Sequence, residues 1–412
     1  MFDLLQHASK IAENEGFCDF KIETKNGSNQ GDNYVSILTA ITITGTKVQN
    51  DKLYQDELHL LCKMPPLDEM KRKDSATNAM FRREIYVYKN VLPAFIAFQR
   101  EKGLSAVDSF VSFPKVFESE MSEENETCFL IMEDLRPKNF EMWPKEQTIA
   151  IDHELLVMRE LGKLHAVSFA MKDQCPDKFD EFKCLRDQHY ENALENDVGE
   201  FVRKTIGTTT EILEQPKHKE FMQNFRNAYL DMVRDYLLGE SSEEFAVINH
   251  QDCWITNFLF QNTNDNKTTP KSMCLLDWQA ARYCPPVLDI LYHVFSSTDR
   301  EFRDKHYDTL LKTYYRSLSE TIEKLGSAPE KLYTYDDFQR QLRKFGAFTV
   351  LCAPLLILLR VTKAHNETST NDNDQDKRDA VFNNFDETQK TYVKMINDLF
   401  HDLEKYGYIM IN

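Results

Sequence analysis

Apolar residues in the first third of the chain recur with a period of two. Tyr34–Ile43 reads YVSILTAITI, with Val35, Ile37, Ile41 and Ile43 on one side, which predicts a half-buried β-strand. Leu58–Lys63 (LHLLCK) predicts a second strand closed by Pro65 and Pro66, and Cys128–Met132 (CFLIM) predicts a further buried one. Between them, after a charged stretch from Asp68 to Asp74, the period lengthens. Phe81–Leu92 (FRREIYVYKNVL) places Phe81, Glu84, Ile85, Tyr88, Val91 and Leu92 on one helical stripe. From about Pro137 the helical period dominates. Leu155, Met158, Leu161, Leu164 and His165 share a face of a helix expected over Asp152–Met171. More helices are expected between Phe201 and Leu238 and through the last hundred residues. A polar stretch, Asn366–Asp379, lacks apolar residues and reads as a mobile surface loop. No internal repeat is evident. The expected fold class is α+β with two lobes: a small β-rich N-lobe over residues 1–135 and a large helical C-lobe over 136–412.

The longest uncharged run, Phe345–Leu359, contains Pro354 and falls short of the ~18–20 residues a membrane span needs, so a buried, kinked helix is expected. The first residues, Met1 to His7, carry charge and lack the apolar centre of a signal peptide. With Lys+Arg 50 against Asp+Glu 67, the net charge is −17. That excess repels nucleic-acid phosphates and anionic membranes, so neither is expected as a partner. A small, locally compensated nucleotide site is not excluded. The nine cysteines are scattered and none form a C-x-x-C pair, which fits reduced thiols in a cytoplasmic chain better than disulfides or zinc. Oligomeric state is left open.

The segment richest in chemistry is Phe245–Pro286. An apolar run, Phe245–Ile248, is followed by His250-Gln251-Asp252-Cys253-Trp254-Ile255-Thr256-Asn257, a second run Phe258–Phe260, a polar connection Gln261–Ser272, and a third run Met273–Leu276 ending at Asp277. The last two runs predict a hairpin. Asn257 just precedes its first strand and Asp277 just follows its second, so the antiparallel ends lie side by side. A carboxamide oxygen plus a carboxylate is a hard, oxygen-only pair suited to Mg²⁺. Asp252 lies in the loop feeding the same strand. This is the H-x-D-x-x-x-x-N arrangement of phosphoryl transfer, in which the Asp orients or deprotonates the acceptor hydroxyl and the Asn and a later Asp hold metal on the ATP phosphates.

Upstream, Glu84 falls within an apolar stripe, and an inward carboxylate must be paired. Lys63, ending an apolar strand, is the candidate partner, as in kinases where a strand Lys and a helix Glu grip ATP. Gly27 and Gly31 in the polar loop before Tyr34 could offer backbone N–H groups to phosphates. Glu133-Asp134-Leu135 follows a buried strand where a hinge would fall, and its backbone could hold adenine. His165 reads as a satisfied core histidine, Asp289 as a helix N-terminal acid, and Trp254 and Trp278 as packing residues that could also border an acceptor pocket.

Together, Gly31-Asp32-Asn33-Tyr34, Cys62-Lys63-Met64-Pro65, Glu84 with Tyr88, Met132-Glu133-Asp134-Leu135, Leu161–Ala166, the His250–Asn257 loop, Leu276-Asp277-Trp278-Gln279 and Asp289 resemble the ecdysteroid kinase-like (CHK kinase-like) family, relatives of choline kinases and aminoglycoside phosphotransferases. The resemblance spans nearly the whole chain. It implies a protein-kinase-like fold and ATP- and Mg²⁺-dependent phosphorylation of a hydroxyl on a small molecule, an ecdysteroid or similar apolar alcohol. It implies Lys63 and Glu84 as the phosphate-gripping pair, Asp252 as base, and Asn257 and Asp277 as metal ligands. A cationic acceptor of the choline or aminoglycoside type and a non-catalytic binding module are the alternatives. The family usually has Gly where this chain has Gln251. If that position needs positive φ, the loop is strained or reshaped.

Overall fold

The computed structural model describes residues 2–27, 36–49, 52–65, 75–122, 127–186, 197–238, 243–263, 269–361 and 387–410. Helix α1 (Leu4–Asn14) opens the chain, with the Asp3 carboxylate accepting from the Leu5 and Gln6 N–H groups. It packs on a five-stranded antiparallel sheet of β1 (Phe17–Asn26), β2 (Ile37–Gln49), β3 (Lys52–Met64), β4 (Val116–Ser122) and β5 (Thr127–Glu133), in the order β1-β2-β3-β5-β4. Strands β2 and β3 form a hairpin much longer than the two apolar runs suggested. Their outer halves are polar and solvated, so cross-strand hydrogen bonds rather than burial extend them. Strand β1 was not legible for a related reason: it is an edge strand, and only Phe17 in it is fully buried. The Gly31 loop lies outside the described residues, as does Asn366–Asp379.

Helix α2 (Ser75–Tyr86) crosses behind this sheet and runs on into α3 (Leu92–Glu101) through a π turn at Val87–Val91. Pro93 brings no N–H to the following turn, and the Leu92 N–H bonds five residues back to the Val87 carbonyl, which widens the helix at that point.

The rest of the chain is mainly helical. Two small sheets sit under the large one: β7 (Val247–Asn249) with β10 (Arg282–Cys284), and β6 (Phe140–Met142), β8 (Phe258–Asn262) and β9 (Pro270–Leu275) in the order β6-β8-β9. The central helix α4 (Ile151–Gln174) is followed by α5 (Pro176–Asp180), α6 (Asp197–Ile212) and α7 (Pro216–Leu238). After β10 come α8 (Val287–Ser297), α9 (Arg300–Lys324), α10 (Pro329–Leu332), α11 (Tyr335–Phe345), α12 (Thr349–Val361) and α13 (Glu387–Lys405). Gly162 lets α4 lie against α9: a Cβ there would stand 2.7 Å from the Tyr314 carbonyl oxygen. The Phe345–Leu359 run becomes α12 with Pro354 inside it. The Pro329–Val361 stretch has the length and hydropathy of a membrane span, but the chain breaks helix at Tyr333 and Thr334, and most of α12 is buried in the protein. The architecture is the expected α+β, protein-kinase-like arrangement of a β-sheet region followed by a large helical region. All nine cysteines are free thiols.

Candidate active site

The β8–β9 hairpin aligns Phe258 with Leu275, and one step further the Leu276 N–H donates to the Asn257 carbonyl at 2.9 Å. Asn257 and Asp277 are therefore brought to the same end of the hairpin, as their sequence positions predict. Asp277 occupies the left-handed region (φ 66°, ψ 64°), a sharp turn that leaves its side chain half-buried. The Asn257 amide N–H donates to the Asp252 carbonyl oxygen at 2.9 Å, tying the loop to the hairpin.

From above, β3 contributes Lys63. Its ammonium donates to Glu84 on α2 and to Asp277, both at 2.7 Å. Lys63 is 8% exposed and Glu84 1%. Two carboxylates face one cation, and burial is severe. Burial pushes the Glu84 carboxyl up to about 7 despite the pull of Lys63. Burial works against the Lys63 charge, but Asp277 and Glu84 together raise its pKa above the ordinary value. Burial, then the charge of Asp277, raises the Asp252 carboxyl to about 6. Among the described residues no group of three or more His, Cys, Asp or Glu side chains is placed to hold a metal ion.

The loop carrying Asp252 is held from beneath by Asp289. That carboxylate accepts from the His250 N–H (2.8 Å), the Gln251 N–H (2.8 Å) and the Gln251 amide (2.9 Å), and it meets the His165 ring at 3.3 Å. Burial alone would raise its pKa, but His165 and His250 outweigh burial and hold it below the ordinary value. It does sit in the first turn of α8, as expected, and is in addition a buried hub that holds the loop. His165 is satisfied, as expected, since its other nitrogen meets the Tyr314 hydroxyl at 2.8 Å. His250 joins the two halves of the site. One ring nitrogen bonds the Leu276 carbonyl at 2.9 Å, the other accepts from the Asp252 N–H at 3.3 Å, and the ring packs on fully buried Trp278. His293, one turn after Asp289, meets the Cys253 carbonyl at 3.0 Å and Glu154 at 2.8 Å. His293 and the hub role of Asp289 were the parts that sequence reading missed. The available signal was two polar residues four apart in the apolar helix VLDILYHVFSS, which places both on one buried face.

Gln251 does adopt positive φ, 62°. A non-glycine residue there costs on the order of 1–2 kcal/mol, and its side-chain bond to the buried Asp289 charge offsets that, at roughly 1.5–3 kcal/mol. Gln251→Ala keeps the strain and loses the bond, whereas Gln251→Gly loses both. Chemical denaturation is expected to find the Ala variant less stable than the Gly variant by about 1 kcal/mol. The reverse order would mean that the positive φ at this position carries no strain that glycine relieves.

At the hinge, the Glu133 N–H is given to the Lys115 carbonyl (2.8 Å) and the Asp134 N–H to that of His59 (3.0 Å). Their side chains are engaged with Lys138 and Arg136. Arg136 also reaches the Gly27 carbonyl at 2.9 Å. Of the three hinge residues, Leu135 is the one whose N–H has no protein acceptor among the described residues.

Residues 30–327 match the family model described as the ecdysteroid kinase-like family. No curated protein matches the chain significantly. A solved glucosamine kinase aligns over 96% of this chain and 80% of its own, at 13% identity and a TM-score of 0.39, too distant for its sugar substrate to be carried across. The family match covers well over half of the 412 residues: the chain belongs to the ecdysteroid kinase-like family, a group of small-molecule kinases.

Proposed function

We propose that this protein transfers the γ-phosphoryl group of ATP to a hydroxyl of an ecdysteroid or a similar apolar alcohol. The observation that carries the reading is the convergence of five side chains from three parts of the chain. Lys63 bridges Glu84 and Asp277, and Asn257 ties Asp252 to the same hairpin end. The acceptor oxygen bonds to the terminal phosphorus, its proton passes to the Asp252 carboxylate, and the β–γ bridging oxygen leaves with the bond's electron pair on ADP. A carboxyl raised to about 6 is still largely ionised at neutral pH, and is a better base than an ordinary aspartate.

The residues fit Mg²⁺. Asn257 spends its amide N–H on the protein, which leaves its oxygen as a donor, and Asp277 adds a half-buried carboxylate. These two would hold the ion, which would supply positive charge against the phosphate oxygens. Lys63, positioned by Glu84, is then the fixed cation for the phosphates, and Leu135 offers its N–H to adenine.

The test is ADP formation by the purified protein with ATP, Mg²⁺ and a panel of ecdysone, choline and glucosamine. Turnover stimulated by ecdysone and lost with EDTA is expected. Stimulation by choline or glucosamine alone would overturn the steroid acceptor and keep the kinase, and no acceptor-dependent turnover or nucleotide binding would overturn both.

A further inference from the structure

Helix α8 grips the loop at four successive residues. Asp289 takes the N–H groups of His250 and Gln251, and His293 meets the Cys253 carbonyl. Those three contacts fix main chain. The fourth is different in kind: the Tyr292 hydroxyl donates to the Asp252 carboxylate Oδ1 at 2.7 Å. Residues 289, 292 and 293 are spaced three and four apart, so all three lie on the face of α8 turned to the loop.

We infer that Tyr292 is a positioning residue for Asp252: its hydroxyl fixes the rotation of the carboxylate and leaves the second oxygen to meet the acceptor. The inference rests on the reading of Asp252 as the base. The χ2 torsion of an aspartate is broad and roughly two-fold, so a loop with a fixed backbone still leaves its carboxylate free to turn. The loop His250–Asn257 contains no Lys or Arg that could hold it. Lys63 directs two of its three donors to Glu84 and Asp277 and makes no hydrogen bond to Asp252. The Asn257 amide also acts on the carboxylate from the loop's own end, and the 2.7 Å restraint comes from α8. Packing does not require the hydroxyl, because phenylalanine fills nearly the same volume.

The groups facing the pair keep the phenol a donor. Asp277 and Lys63 face Asp252 from the hairpin and from β3, while Cys253 and Cys352 face Tyr292 from the loop and α12. Burial raises the Tyr292 phenol and both thiols, so all three stay protonated near neutral pH.

The experiment places 3-fluorotyrosine at position 292 and records its ¹⁹F resonance in the full, ligand-free chain, with and without Asp252→Ala. A shift on losing the carboxylate is expected, and an unmoved resonance overturns the contact. In the kinetic arm, Tyr292→Phe should lower kcat by about tenfold, the scale of one hydrogen bond to a charged group, with the KM for ATP unchanged. In an Asp252→Asn background the same change should cost nothing further. Full kcat in Tyr292→Phe, or an equal loss in both backgrounds, overturns the positioning role. A moved resonance together with a fully active Asp252→Asn variant fails the base reading instead, and the role with it.

Discussion

Asp252→Asn is expected to lose turnover by about 10²–10⁴-fold, the range a positioned general base supplies, while folding and binding nucleotide as the parent does. The geometry explains why only the chemistry suffers. The loop backbone is fixed by Asp289 and His293, which do not touch the Asp252 side chain. The Asn257 bond goes to the Asp252 main-chain carbonyl, so the candidate metal pair stays in register. The amide can still accept from Tyr292. What disappears is a basic oxygen and one negative charge close to Asp277, and losing that charge relieves a repulsion. Acceptor-dependent ADP release, with nucleotide affinity by calorimetry and a thermal melt alongside, separates these effects. Unchanged turnover would remove the base from the mechanism. Lost nucleotide affinity would show that the residue works in binding.

Much of this site was readable in the chain because its chemistry is local. Asp252 and Asn257 lie five residues apart in one loop, and Asn257 and Asp277 bracket a hairpin whose apolar strands announce themselves. Glu84 was legible because a charged residue stood in an apolar stripe, and it is indeed buried against Lys63. The second bond of Lys63, to Asp277, was not legible, since it joins residues 214 positions apart and no local pattern encodes it. The hub role of Asp289 was hidden for a similar reason: an acid in a first helical turn has a sufficient local explanation, which masks its contacts with a distant loop. Among the elements, the sheet's outer reaches were hard to see because edge strands such as β1 bury few side chains, and the α2–α3 helix hid its π turn because a widened turn leaves the apolar stripe nearly intact.

Lys63→Met is expected to damage stability and nucleotide binding together, and the stability loss should grow with pH. Removing one partner of a buried ion pair costs about 3–5 kcal/mol when the other charge is left behind. Glu84 is nearly inaccessible, whereas Asp277 is half-buried and can turn toward water, so the stranded charge is that of Glu84. Its folded-state pKa is already raised to about 7, above the ordinary 4.5. A carboxyl raised on folding favours the folded state while it is protonated, and that advantage is lost as pH rises through the folded value. Without Lys63 the carboxyl must rise further, because the cation was what pulled it down. Near pH 5.5 Glu84 folds as the neutral acid and the variant loses little. Near pH 8 the fold must either ionise it in an apolar cleft or take up a proton, and the full cost appears. Urea denaturation at the two pH values is expected to give the larger parent-to-variant difference at pH 8, and Lys63→Met, Glu84→Gln should recover part of it. Binding fails for a separate reason, the missing cation for the phosphates, and should weaken by roughly 10–100-fold at both pH values, the scale of one hydrogen bond to a charged group. A stability loss equal at both pH values would mean that Glu84 is not the charge Lys63 neutralises, and rescue of stability without rescue of nucleotide affinity in the double variant would separate the two duties of this lysine.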